Sequence, residues 1–179
     1  MSSLRIIGGK WRRRKISFSD TGEVRPTPDR VRETLFNWLQ RDVPEANCLE
    51  LYAGSGILSL EALSRGASKV TLVETSTPVY QHLRSTFDII PSEDFELEKG
   101  TASDFLGKTD STYDIVFLDP PFNTNEADTI LPLLRRANVL NAQGCVYLET
   151  NKPLDPPGGF TIHRNAKAGQ VYYYLLVPE

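Results

Sequence analysis

From residue 47 onward, short unbroken apolar runs alternate with segments whose apolar residues recur every three to four positions. That is the pattern of buried strands followed by amphipathic helices. Residues 48–53, Lys69–Glu74, Phe95–Lys99, 115–118 and 145–149 predict strands. Ile57–Ser64, 78–89, Ala102–Leu106 and 127–136 predict the intervening helices, and Gly66 stands just past the first of them, where a C-terminal cap glycine belongs. Upstream, Val31, Leu35, Trp38 and Leu39 share one face of a helix that Pro28 opens and that should end near Val43-Pro44. Before it, residues 4–8 and Lys15–Phe18 read as a short hairpin around Gly8-Gly9, and residues 19–28 as a loop. At the other end, residues 160–164 and 171–177 predict a hairpin turned near Gly169.

This alternation implies an α/β fold with a mostly parallel sheet and helices on both faces. The terminal hairpin must set one strand antiparallel to its neighbours. A chain of 179 residues with 40% apolar content suits a single domain, 1–179, with residues 1–27 as an extension within it. No internal repeat or low-complexity tract interrupts the pattern.

Charge changes the picture at one end. Residues 1–32 hold nine Lys/Arg against three acids, a local +6, so the rest of the chain carries −9 within a net −3. Such asymmetry suggests a polyanion-binding segment on an acidic body. The two cysteines, Cys48 and Cys145, lie in apolar runs and read as buried thiols. With two distant histidines, His82 and His163, and no CxxC pair, no metal is expected. Nothing resembles a signal peptide or a membrane span, so the expectation is a cytoplasmic protein without a membrane partner.

Four groups of residues carry candidate chemistry. The turn Gly54-Ser55-Gly56 follows the first long strand, and glycines there let a ligand approach the backbone. Glu74, 18 residues past Gly56 and at the next strand end, can accept ribose hydroxyls of an adenosine. Together they suggest an adenosine-containing ligand, and a loop with two close glycines rather than three disfavours a pyrophosphate. The third group, Asp119-Pro120-Pro121-Phe122, ends a buried strand in a rigid turn. It offers the Asp119 carboxylate and the Pro120 carbonyl as two acceptors. An exocyclic amino group of a base is a poor nucleophile, and two acceptors on its N–H bonds would localise its lone pair and aim it at a methyl sulfonium. Phe122 would stack on the base, worth roughly 1–3 kcal/mol. The fourth group is basic: Lys10, Trp11, Arg12, Arg13, Arg14 and Lys15, extended by Arg25, Arg30 and Arg32. Arginine forks bind phosphates and Trp11 can stack, so RNA contact is expected.

Residues 25–39 (Arg-Pro-Thr-Pro-Asp-Arg-Val-Arg-Glu-Thr-Leu-Phe-Asn-Trp-Leu), 50–56, 60–65, 119–122 and 168–171 resemble the RsmD family, bacterial methyltransferases that modify one guanine at N2 in small-subunit ribosomal RNA. The resemblance runs over nearly the whole chain. It implies the class I, Rossmann-like S-adenosylmethionine-dependent methyltransferase fold: seven strands, the last antiparallel, with an added N-terminal β-hairpin and helix. It implies S-adenosylmethionine as cofactor and a small-subunit assembly intermediate containing ribosomal RNA as partner. Glu50, Tyr52, Ala53, Gly54 and Gly56 would line the methionine end, and Glu74 would hold the ribose. Thr101-Ala102, where the family often has Asn-Ala, would lie near the adenine, while Asp119, Pro120 and Phe122 would hold the guanine.

Two other readings fit the same residues. An N6-adenine DNA methyltransferase uses a similar Asp-Pro-Pro-aromatic turn, although 179 residues leave little room for a sequence-reading domain. A methyltransferase-like domain could instead bind RNA without catalysis, against which the intact Gly54, Gly56, Asp119 and Phe122 argue.

Overall fold

The computed structural model describes residues 2–18, 22, 25–155 and 158–179. Part of the expected 19–28 loop, namely residues 19–21, 23 and 24, lies outside them. The main sheet contains β3 (Asn47–Leu51), β4 (Lys69–Glu74), β5 (Phe95–Lys99), β6 (Tyr113–Leu118), β7 (Leu140–Thr150), β8 (Phe160–Ala168) and β9 (Val171–Pro178) in the order β5-β4-β3-β6-β7-β9-β8. Strands β3 to β7 pair in parallel, and β9, the last in sequence, is antiparallel to both of its neighbours.

Successive residues of each strand serve opposite faces. Cys48, Phe117 and Tyr147 pack under α1 (Asp29–Trp38), α2 (Ile57–Ser64) and α3 (Thr77–Asp88). Leu49, Val116, Leu118, Val146 and Leu148 pack under α4 (Ala102–Leu106) and α5 (Glu126–Arg136). With both faces covered, the strands read as continuous apolar runs instead of alternating ones. Cys48 and Cys145 are buried free thiols, as expected.

Several predicted boundaries shift. Helix α1 stops at Trp38, not near Val43-Pro44, and the chain goes on as a turn in which the N–H groups of Asp42 and Val43 share the Leu39 carbonyl. Leu39, Val43 and Ala46 remain buried along this turn, so the apolar spacing continues after the helix has ended. Strand β3 stops at Leu51 because Tyr52 takes φ +62°. Strand β7 starts early, at Leu140 opposite Tyr113, and its register with β6 slips before Ile115 meets Cys145.

The N-terminal hairpin, β1 (Ser2–Arg5) with β2 (Lys15–Phe18), stays apart from the main sheet. Its first strand ends sooner than expected because residues 6–14 form the turn, with Gly9 and Arg13 at φ +75° and +72°. The turn is clamped to the last residue of α2. The Lys10 N–H donates to the Ser64 carbonyl at 2.7 Å, the Trp11 N–H to Ser64 Oγ at 2.9 Å, and Ser64 Oγ donates to the Gly8 carbonyl at 2.6 Å. A Cβ on Gly9 would sit 1.9 Å from the Ser64 carbonyl oxygen, so only glycine fits there. Along α3, His82 Nε2 donates to the Ser17 carbonyl and Arg14 Nη2 to the Ile89 carbonyl.

Arg32 is a correction to the basic patch, because its side chain is wholly buried. It pairs with buried Glu61 at 2.7 Å and with Asp29, and donates to the carbonyls of Arg5 and Thr27. It ties the hairpin, α1 and α2 together and offers nothing to RNA. Glu61, the partner that makes this burial tolerable, lies in the 60–65 stretch that carries the resemblance but was given no role of its own.

Candidate active site

The carboxyl ends of β3, β4 and β6 open onto a cavity of about 730 Å³, within the range of small-molecule sites. The floor follows from the strands. Glu50, Asp119 and Glu149 belong to the same sheet face as Cys48, Phe117 and Tyr147, each displaced by two residues along its strand direction. Three acids therefore converge at one edge, and the segment Arg25–Pro28 lies across them.

Glu50 is buried beneath α2. Its Oε2 accepts from the Ser59 N–H at 3.0 Å and from Ser59 Oγ at 2.5 Å, which satisfies part of the first turn of the helix. Burial nevertheless pushes its pKa from 4.5 up to about 7, with the Glu74 charge adding to the rise and the two Ser59 bonds opposing it. Glu74 is also buried, and its two oxygens accept from the Gly54 N–H at 3.0 Å and the Ser76 N–H at 2.7 Å. Each oxygen keeps a further lone pair for a hydroxyl donor. The loop between β3 and α2 is held in an unusual shape. Tyr52, Gly54 and Gly56 all have positive φ, and the Tyr52 hydroxyl donates to Glu126. A non-glycine residue with that backbone is costly and persists where a site requires it.

Tyr52, Ala53 and Gly54 line the cavity together with Glu50 and Glu74, as expected. Gly56 does not. Its glycine character answers to packing, because a Cβ there would lie 2.8 Å from Leu83 and 3.0 Å from Phe87. On the far wall, Ala102 is buried and Thr101 caps α4 by accepting the Asp104 N–H at 3.1 Å. Asp119, Pro120 and Phe122 close the other end. The Pro121 carbonyl is taken up by Thr124, through N–H at 3.2 Å and Oγ at 2.7 Å, whereas the Pro120 carbonyl has no partner among the described residues.

Asp119 carries a carboxyl whose ionised form its surroundings disfavour. Burial, then the charges of Glu149 and Glu50, hold its carboxyl well above the usual range, and Arg25 pulls the other way. Glu149 was not singled out in the sequence, since a lone acid at a strand end has no motif. Its Oε1 accepts from Thr27 Oγ1 at 2.9 Å and from the Tyr147 hydroxyl at 2.8 Å.

The basic residues separate into two sets. Arg25 lines the cavity as a counter-charge to its acids. Lys10, Arg12, Arg13 and Lys15 are exposed, Arg14 is bound to Ile89, and Arg30 is exposed on the first turn of α1; none of these six lines the cavity. Trp11 is half-buried against the core with the Lys10 ammonium 4.6 Å from its ring centre, so it acts mainly as a plug. The turn and the cavity lie at opposite ends of α2, which spans eight residues, or about 12 Å.

A family model described as conserved hypothetical protein 95 matches residues 4–177. Ribosomal RNA small subunit methyltransferase D of Escherichia coli (strain K12) is 40% identical over 179 residues, covering 98% of this chain and 90% of the relative. A solved structure described as a methyltransferase from Escherichia coli superposes with a TM-score of 0.91 at 38% identity, covering 99% of each chain. A methylase structure from Haemophilus influenzae gives 0.83 at 38% identity, covering 98% of each.

Proposed function

Because the chain belongs to the RsmD family, we propose that it transfers a methyl group from S-adenosylmethionine to the exocyclic N2 amino group of a guanine in small-subunit ribosomal RNA. The observation that carries this reading is the Asp119–Phe122 turn at the edge of an acid-lined cavity, where adjacent residues offer a carboxyl and a carbonyl without a partner among the described residues. The residues present fit the cofactor. Glu74 has lone pairs for ribose hydroxyls, Gly54 gives close backbone access, and five carboxyls against one arginine among the described lining residues suit a ligand with a sulfonium and an ammonium. When bound, that cofactor supplies an electrophilic methyl group.

The chain's own groups supply orientation. Asp119 and the Pro120 carbonyl accept the two amino N–H bonds, and Phe122 stacks on the ring. Burial first and the neighbouring acids second raise the Asp119 pKa, and positive charge entering the cavity opposes that rise and favours the ionised, accepting form. The amino nitrogen gains the methyl and loses one proton to solvent.

The test is methyl transfer from labelled S-adenosylmethionine to small-subunit RNA, free or in assembly intermediates, with the product nucleoside identified by mass. N2-methylguanosine is expected. N6-methyladenine in duplex DNA would favour the DNA reading, and RNA binding without affinity for the cofactor would favour a non-catalytic domain. Gly54→Val should abolish cofactor binding measured by calorimetry, since Gly54 lines the cavity at φ +53°.

A further inference from the structure

Leu118 pairs with Leu148, so Asp119, just past the end of β6, lies beside Glu149 of the neighbouring parallel strand β7, about 4.8 Å away in the sheet. Glu149 lines the large cavity and also a second one of about 290 Å³ on the other side of the Asp119–Phe122 turn. It therefore faces the space through which a base reaches the turn. Both of its hydrogen bonds end on Oε1, and Oε2 has no partner among the described residues. Two hydroxyl donors, Thr27 and Tyr147, thus fix the carboxyl from behind and leave one oxygen pointing nowhere within the fold.

Guanine and adenine differ at the ring position beside the amino group. Guanine carries N1–H, a donor, next to its N2 amino group. Adenine presents an unprotonated N1, an acceptor, next to N6. We infer that Glu149 is a specificity-determining residue that selects guanine, its Oε2 accepting the ring N1–H while Asp119 and Pro120 hold the adjacent amino group. An adenine in the same place would set a lone pair against the carboxylate. This inference rests on the guanine-N2 reading and adds the residue that enforces it.

The charge state supports the role. Burial raises both acids and Arg25 opposes it at both, but two hydroxyl bonds further favour the ionised form of Glu149, whereas no hydroxyl of the described residues bonds Asp119. Those bonds hold Glu149 nearer the ionised, accepting form than burial alone would.

2-Aminopurine keeps the 2-amino group and lacks both N1–H and the C6 carbonyl, so the Glu149 variant is what separates the N1–H contribution from that of the carbonyl. Small-subunit RNA is prepared by ligation with either guanosine or 2-aminopurine riboside at the position the protein methylates, located first by mass mapping. Wild-type protein should prefer guanosine by roughly 100-fold in kcat/KM, because 2-aminopurine leaves a buried carboxylate unpaired. In Glu149→Gln the side-chain amide can donate as well as accept, so the preference should fall to within a few-fold. Wild-type protein that methylates both RNAs equally overturns the inference without any variant. So does a Glu149→Gln variant that keeps the full preference. Thr27→Val with Tyr147→Phe serves if the Gln variant does not fold: with Glu149 unanchored the preference should drop about tenfold, and an unchanged preference again overturns the role. No methylation of the guanosine RNA removes the proposed activity itself, a result distinct from methylation without discrimination.

Discussion

The two ends of helix α2 have opposite electrostatics. At its start, Glu50, Glu74, Asp119 and Glu149 crowd a cavity with Arg25 as their counter-charge. At its end, Ser64 holds a turn that presents Lys10, Arg12, Arg13 and Lys15 to solvent. Glu50, Glu74 and Glu149 are buried, and neighbouring acids add to the raised pKa values of Glu50 and Asp119, so each position is tied to its surroundings. The cations are solvated and interchangeable, and they act as a field. A net charge of −3 conceals both. The separation also limits the substrate: an RNA that reaches the cavity and the turn at once must span about 12 Å, the length of α2.

The contrast is broken most severely at Arg32, a cation of the N-terminal segment that behaves like the cavity acids. Arg32→Ala leaves buried Glu61 with only Arg65 and the Ile7 N–H as partners and should cost about 3 kcal/mol in chemical denaturation. A loss below about 1 kcal/mol would return Arg32 to the solvated set. Asp119→Ala comes next. Removing one of two preorganised acceptors should slow single-turnover methyl transfer at saturating cofactor by ~10²–10³, about 2.7–4 kcal/mol. A wild-type rate would exclude the turn as the catalytic centre.

Glu50 sharpens the comparison through pH. Its carboxyl has a pKa of 4.5 when unperturbed and about 7 in the folded chain. A raised carboxyl pKa contributes stability at low pH, and that contribution is lost as pH rises through the folded value. Relative to Glu50→Gln, wild-type stability should therefore decline by about 3 kcal/mol between pH 4.5 and somewhat above pH 7. Parallel stability curves for the two proteins would show that Glu50 is not held up by burial.

The sequence disclosed the cavity end far better than the hairpin end. Glycines after a strand, an acid at the next strand end and a rigid Asp-Pro-Pro-Phe turn are local signals, and the sheet brings Gly54, Glu74, Asp119 and Phe122 to one cavity. What stayed hidden depends on partners distant in sequence. Arg32 reads as one more cation until Glu61 is placed beside it, 29 residues on. Glu149 has no motif, and its meaning comes from Thr27, 122 residues away, and from the neighbouring strand. Gly56 looked like a ligand-contacting glycine, but it is the closeness of Leu83 and Phe87 that requires it.

The smallest expected effect tests the basic turn as a field. Arg12 and Arg13 are exposed, whereas Arg14 is engaged with Ile89, so the informative change is Arg12→Ala with Arg13→Ala. Arg13 has φ +72°, which alanine tolerates no better than arginine, so any loss of stability should be slight. Each cation that neutralises a phosphate releases counterions, contributing roughly 0.7–0.9 to the slope of log affinity against log salt. Removing two should flatten that slope by about 1.5 and weaken binding about tenfold at moderate salt, equally for any RNA sequence. Cofactor affinity should not move, because neither side chain lines the cavity. The Asp119→Ala protein should show the opposite profile, with a normal salt slope and slow chemistry. Were the double arginine variant to keep the wild-type slope while Lys10→Ala and Lys15→Ala lowered it, the field would belong to the flanks of the turn. A slope unmoved by all four would leave the turn a solvated clamp on α2, and the +6 of the N-terminal segment would need another purpose.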